Sequence, residues 1–369
     1  MNLLSLFRLL LTGTVVLGAG SVSAQIINPV PTAPTDSARL HEATESRSSD
    51  DKEFANPSVL GMGPSKGLIV RYERAPDFSI ASDGQQTGIG DSTGQIAKLN
   101  VFTIKAYGPL WNHPHLKVVL GLNYEKSQYN FENRAEAAHY PLYNVIDDRN
   151  LRTIGTQLVV LRPIDGRRYF LLRGKGELNG DYKSSNRRLA LNKYLKYSAE
   201  GFYGWKRSPR ESIALGFQYG YTFGRISIYP AVIYNRSWSD HWGFEGLLPA
   251  KARVRYNINE KTLLYGGYEV QGNSYTVNLN LGPAYGDAPH ELRRTDIAGK
   301  LRAERELLPF LWVAAEAGYR YYVSFNVFDR PGISSRAKDN KLIDSTLGNS
   351  AFVGFEMFLT PPRKRILKQ

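Results

Sequence analysis

The side chains best suited to move a proton near neutral pH are six histidines, His41, His113, His115, His139, His241 and His290. His113-Pro114-His115 sets two imidazoles one residue apart, and Gly90-Asp91-Ser92 sets a hydroxyl beside a carboxylate. Neither grouping suffices for chemistry. A hydrolase needs a nucleophile, a base and an orienting group that converge, and no local signature brings them together. Gly108, Pro109 and Pro114 give His113 and His115 the setting of a turn, and a metal site needs more than two ligands. The chain has no cysteine, which excludes a thiol nucleophile, a disulfide framework, a Cys-ligated metal and a lipid anchor on an N-terminal Cys. No catalytic, cofactor-binding or metal-ligating residue is assigned, and no enzyme activity is expected.

The other chemistry-bearing residues are charges that recur at every second position. Lys117, Arg173-x-Lys175-x-Glu177, Lys196 and Glu200, Lys251-x-Arg253-x-Arg255, Lys300-x-Arg302-x-Glu304, and Glu316 and Arg320 each alternate with apolar or small residues. Arg71, Glu73 and Glu356 follow the same rule. A spacing of two places a set on one face of an extended strand. Residues 116–125 split into Leu116, Val118, Leu120, Leu122 and Tyr124 against Lys117, Val119, Gly121, Asn123 and Glu125. Residues 251–259 divide Ala252, Val254, Tyr256 and Ile258 from Lys251, Arg253, Arg255, Asn257 and Asn259.

The elements that must carry these faces are therefore strands, and long ones. No helical period is sustained after the first 24 residues, and mean hydropathy is −0.36, which excludes a helical membrane protein. Alternation over nine to fifteen residues exceeds the soluble mode of about 5–6 and suits a tilted membrane-crossing strand of about 9–11. Aromatics near the strand ends, among them Phe170, Trp205, Trp242 and Trp312, fit interfacial girdles. The pattern predicts an all-β fold, a transmembrane antiparallel barrel.

Loop parity sets the strand number. Long connections fall at 76–94, 129–150, 179–193, 278–291 and 327–349, and short turns at Asn112–His115, Ile164–Arg167, Ser208–Glu211, Ser239–His241, Asn259–Lys261 and Glu306–Pro309. Thirteen strand-like segments give an odd count, which two periplasmic termini do not allow. Proline cannot donate to a central ladder, so Leu248-Pro249-Ala250 splits 241–257 into two strands with a tight outer turn, making fourteen. Twelve is the runner-up, since each half is short.

Residues 1–24 read as a secretory signal, with Arg8, an apolar run Leu9–Leu17 and Val22-Ser23-Ala24 before the cut. Residues 25–65 are Pro-, Ser-, Thr- and charge-rich and read as a disordered polar leader, with a plug folded into the barrel as the sharper alternative. The barrel is expected over 66–362 and a basic tail over 363–369.

Several runs resemble an uncharacterised family of outer-membrane β-barrels from Bacteroidetes-type bacteria. They are Trp242–Asn257 with Glu260–Glu269, Tyr194–Ser198, Leu292–Asp296, Phe310–Tyr321 and Phe358–Pro362. The resemblance covers roughly 66–362. It implies the fold and the location, and no catalytic or binding residues.

With the apolar faces toward lipid, the charged faces line the lumen. The cationic ladder Lys251, Arg253, Arg255 predicts a porin-like passive pore for small polar or anionic solutes. A structural or adhesive barrel with no open pore is the alternative, and a barrel hydrolase acting on lipid a more distant one. The net charge of +13 is spread in alternation with acids rather than gathered in a patch, so outer-membrane lipid is the expected partner and nucleic acid is not. Association of barrels into oligomers is compatible with the pattern.

Overall fold

A computed structural model describes residues 54–182, 191–221, 224–283, 285, 289–329 and 340–361. The signal at 1–24, most of the leader and the tail at 363–369 lie outside them, as does part of the 179–193, 278–291 and 327–349 connections.

The strands follow chain order around a closed antiparallel barrel: β1 Leu68–Gly84, β2 Ser92–His113, β3 Leu116–Phe131, β4 Leu151–Pro163, β5 Arg168–Gly180, β6 Leu195–Ser208 and β7 Glu211–Gly220. They continue with β8 Ser227–Ser237, β9 Trp242–Leu248, β10 Lys251–Asn259, β11 Thr262–Val277, β12 His290–Leu308 and β13 Leu311–Phe328. The last position is filled by two halves, β14 Lys341–Leu347 and β15 Ser350–Leu359. Both keep one register against β1, with Ile80 opposite Leu347 and Leu68 opposite Leu359, so they are one strand interrupted at Gly348-Asn349. The barrel therefore has fourteen positions. The split at Pro249 is realised: β9 and β10 pair from Trp242–Tyr256 to Leu247–Lys251.

All six short turns occur where the polar and proline-containing breaks stand, and they share a rim with both ends of the barrel wall, Leu68 and Leu359. The long connections occupy the other rim. There α1 Arg134–Ala137 and α2 Pro141–Asp148 stand between β3 and β4, and α3 Leu191–Tyr194 precedes β6. Asn133 caps α1 by accepting from the Glu136 N–H.

Outward faces are apolar and exposed, with Leu301 at 71%, alongside Leu172, Phe217, Ile228, Tyr319 and Phe355. An apolar band of this extent is a lipid-facing surface.

The connection expected at 76–94 is mostly strand, since β1 runs to Gly84 and β2 begins at Ser92. The alternation breaks at Pro76-Asp77, where Asp77 has φ +30°; the buried set passes from Glu73 and Ala75 to Phe78, Ile80 and Ser82. A change of inward parity resembles a strand end in the sequence, although the ladder with β2 continues across it.

Candidate functional site: the barrel lumen

A polar cavity lies in the lumen between two closures. Its volume is about 330 Å³, and Arg71, Thr103, Lys105, Glu125, Lys175, Glu177, Lys196, Glu200, Glu269, Gln271, Asp296 and Arg320 are among its lining. Basic and acidic side chains line it in near-equal number.

The long-loop end is closed by a hydrophobic cluster. Leu142, Tyr143, Val145 and Ile146 of α2 pack with the inward residues Phe78, Ile96, Tyr129, Phe131, Phe325 and Ile343. Phe131 and Tyr143 stack at 5.0 Å, and the Tyr143 hydroxyl donates to the Ser92 carbonyl at 2.8 Å. Burial pushes the Tyr143 phenol up.

The β11–β12 hairpin completes this closure. β9 and β10 have 7 and 9 residues, whereas β11 and β12 have 16 and 19, so the hairpin outgrows its neighbours. It leans across the mouth to β5: Thr276 pairs with Gly180, and the Asn179 amide donates to Asn273 at 2.7 Å. In barrel order five strands separate β5 from β11, so these contacts cross the lumen.

The short-turn end is closed by the chain itself. Residues 54–65, the described end of the segment expected to be a polar leader, lie against the inner wall. Asn235 Nδ2 donates to the Pro57 carbonyl (2.7 Å), Ser237 Oγ to Leu60 (2.5 Å) and Asn257 Nδ2 to Gly61 (3.0 Å). Leu60 N donates to Pro209 (2.9 Å), and Ala55 packs with Val119, Leu161, Tyr169 and Phe202. Gly61 sits at φ +77°, and a Cβ there would lie 2.9 Å from Asn257 Nδ2. Lys66 ends the strap between Glu304 (2.9 Å) and Glu356 (2.7 Å). The partners of these polar residues are barrel side chains, which lie far away in sequence.

The expected lumen residues do face inward, and most are paired. Arg253 and Arg255 share Glu245, with Arg253 Nε at 2.9 Å and Arg255 Nη1 at 2.8 Å; Arg255 is 0% exposed. Lys251 and Lys300 share Glu269 at 3.7 and 2.7 Å. Arg302 meets Glu304, Glu316 and Glu356 at 2.8, 3.1 and 2.7 Å. Arg320 bridges Glu73 at 2.5 Å and Asp296 at 2.9 Å, and Arg71 contacts Glu73 and Glu316. The cationic ladder, with Lys300, thus shares two carboxylates, Glu245 and Glu269.

The wall formed by β2 to β6 is looser. Arg173 meets Glu200 at 3.2 Å, and Lys196 meets Glu291 at 3.6 Å. Glu177 accepts from the Asn123 amide at 3.1 Å. Among the described residues neither Lys117 nor Lys175 has a carboxylate oxygen within 4.0 Å. Lys105, and Glu125 as part of the cavity, were missed by the sequence reading. Their signal was the same alternation, with Lys105 two residues after Thr103 and Glu125 two after Asn123.

Of the four expected interfacial aromatics, three face outward. Phe170 is 44% and Trp242 50% exposed, and Trp205 is half-buried against Tyr203 at 4.7 Å. Trp111 and Trp238 join them on the exposed surface near the short turns. Trp312 is a correction: it is 1% exposed and faces the lumen, stacked on Phe358 at 5.9 Å and packed with Leu263 and Tyr265. It shares parity with Glu316 and Arg320, so the register that points those charges inward takes Trp312 with them.

The histidines are dispersed. His113 packs on Trp111, His115 on Phe54, and His241 Nδ1 lies 2.7 Å from the Asn257 carbonyl. His290 is buried at the start of β12, and His41 lies outside the described residues. Asp91 accepts from the Gly84 N–H, a turn contact. Among the described residues no three His, Asp or Glu side chains group as metal ligands.

No family model and no curated protein matches the chain. Solved structures do. An outer membrane channel from Pseudomonas putida F1 is 10% identical, with a TM-score of 0.42, 83% of this chain and 99% of that one being covered. A FadL homologue from Pseudomonas aeruginosa is 9% identical, with a TM-score of 0.35 and coverages of 84% and 95%. The NanC porin is 11% identical, with a TM-score of 0.33 and coverages of 80% and 100%. What likeness there is lies in the fold, the closed antiparallel barrel that this chain's own strand ladder describes.

Proposed function

We propose that the protein is a gated passive channel of a bacterial outer membrane, admitting small polar solutes. The carrying observation is the polar cavity of about 330 Å³, which is separated from the short-turn mouth by a strap, residues 54–66, that is not part of the wall. The apolar exterior supports a membrane location, the short-turn rim then facing the periplasm. The resemblance to the Bacteroidetes-type family agrees with this placement. Barrels of sixteen to eighteen strands leave an aqueous channel and those of eight are filled by side chains; fourteen leaves room for a cavity with side-chain closures. Lys251, Arg253 and Arg255 share Glu245 and Glu269, so the positive charge they offer an anion is reduced.

Closure at both ends also favours a second reading, a sealed structural barrel. Planar-bilayer recording separates the two. The full chain is expected to show rare conductance steps, and the chain lacking residues 54–65 frequent ones. Silence from both, with the heat-modifiable gel shift of a folded barrel retained, overturns the channel reading and establishes the sealed one.

A further inference from the structure

The charges around the central cavity are of two kinds. On β1 and β12 a basic and an acidic residue two positions apart on one strand close into a pair: Arg71 with Glu73, Arg302 with Glu304, Arg293 with Glu291 and Arg294 with Asp296. Lys175 and Glu177 of β5 have the same spacing and stay apart. The reason is local. A Cβ on Gly155 of β4 would lie 2.6 Å from Glu177 Cγ and 2.7 Å from Asn123 Oδ1. This gap lets Asn123 and Glu177 meet over β4, at 3.1 Å, which engages the carboxylate from the β3 side.

Lys105 of β2 and Glu125 of β3 reach the same cavity. Among the described residues the side chains of Lys105, Glu125 and Lys175 have no hydrogen bond and no ion-pair partner within 4.0 Å, and that of Glu177 has the Asn123 amide. All four are half-buried. Adjacent strands lie about 4.8 Å apart, so the four side chains converge from a curved strip about 15 Å wide at most. Charges of both signs are thus held facing one space without joining. A solute bearing a single charge would meet repulsion from half of them, whereas a solute carrying both signs satisfies both pairs.

We propose that this wall is a binding site for a small zwitterion of the α-amino-acid class, its ammonium group between Glu125 and Glu177 and its carboxylate between Lys105 and Lys175. The site rests on the channel reading, which supplies the route by which solute reaches the cavity. Calorimetric titration with L-alanine, acetate and methylammonium tests it, on the full chain and on the chain lacking residues 54–65 so that a closed mouth does not mask the site. L-alanine is expected to bind at least tenfold more tightly than either single-charge probe. Lys105→Met with Lys175→Met, and separately Glu125→Gln with Glu177→Gln, are each expected to weaken L-alanine at least tenfold. Acetate binding as tightly makes it an anion site, methylammonium binding as tightly a cation site, and no heat with L-alanine a hydrated lining; each overturns the proposal. The probe comparison in unsubstituted protein decides this even where a variant fails to fold. Binding without bilayer conductance would instead sink the channel reading and leave the site standing.

Discussion

The two sides of the lumen use the same residue types and differ in how they are joined. From β9 around to β1, carboxylates and guanidinium groups interlock, Arg302 meeting three carboxylates and Glu245 two arginines. From β2 to β5, the side chains of Lys105, Glu125 and Lys175 face the cavity and, among the described residues, have no ion-pair partner within 4.0 Å. A charge interior to a barrel is tolerated when paired or hydrated; one wall follows the first route and the other the second. Both walls use a glycine to let side chains meet over an intervening strand. Gly354 lets Glu316 reach from β13 over β15 to Arg71, a Cβ there lying 3.0 Å from Glu316 Cγ; Gly155 lets Asn123 reach Glu177. In the first case the contact joins opposite charges, and in the second it joins an amide to a carboxylate. Pairing density, rather than charge content, separates a structural wall from one that can receive a solute.

The largest expected effect comes from unpairing the tight wall. Glu245→Leu removes the carboxylate that Arg253 and Arg255 share, and leaving a buried charge without its partner costs ~3–5 kcal/mol. Lys175→Met on the loose wall is expected to change stability by less than ~1 kcal/mol, since no pair is broken. Denaturant unfolding in detergent micelles measures both, and equal losses would erase the distinction between the walls.

A smaller contrast separates the two glycines. Gly354→Ala crowds a Glu316 that is fixed by Arg71 and Arg302, and overpacking there is expected to cost about 1–2 kcal/mol. Gly155→Ala makes closer contacts, with Glu177 Cγ at 2.6 Å, Asn123 Oδ1 at 2.7 Å and the Gly176 carbonyl at 3.0 Å, so a loss at least as large, about 1–3 kcal/mol, is expected. A markedly smaller loss at Gly155 in unfolding midpoints would show that the side chains of the loose wall move aside more easily than those of the tight one.

The smallest effect lies outside both walls, in the β4–β5 turn. The Arg167 backbone N–H, followed by the Arg168 side chain, holds the exposed Asp165 carboxyl below its ordinary range, with N–H contacts of 2.8 and 2.7 Å and Arg168 Nε at 2.7 Å. A depressed folded pKa gives stability that is present above the ordinary value of about 4 and is lost as pH falls below it. The difference in unfolding midpoint between the unsubstituted protein and Asp165→Asn should therefore be small near pH 7 and vanish in acid. A difference that persists below that range would assign the effect to turn shape rather than to charge.

Much of the barrel was legible because its rules are local. Alternation set the inward parity of Lys175, Glu316 and Arg320, and Pro249 marked the β9–β10 turn because a proline cannot donate to the ladder. The same rules failed where a distant partner decides. Trp312 obeys the alternation, but its chemistry suggested an interface; only the cross-strand register with Phe358 shows it inside. Residues 54–65 are too polar to fold alone and are held by Asn235, Ser237 and Asn257, more than 170 positions away. β1 passes Asp77 because β2 continues to pair with it, which no single-strand pattern reveals.

The sequence by itself determined an all-β chain, the fourteen barrel positions, the short-turn rim and the faces that carry charge, since strand period and turn chemistry are properties of neighbouring residues. Only the tertiary structure decided which charges meet, which mouth each segment closes and where space remains. Pairing and closure depend on strands brought together by barrel closure, and those distances are not written in any one strand.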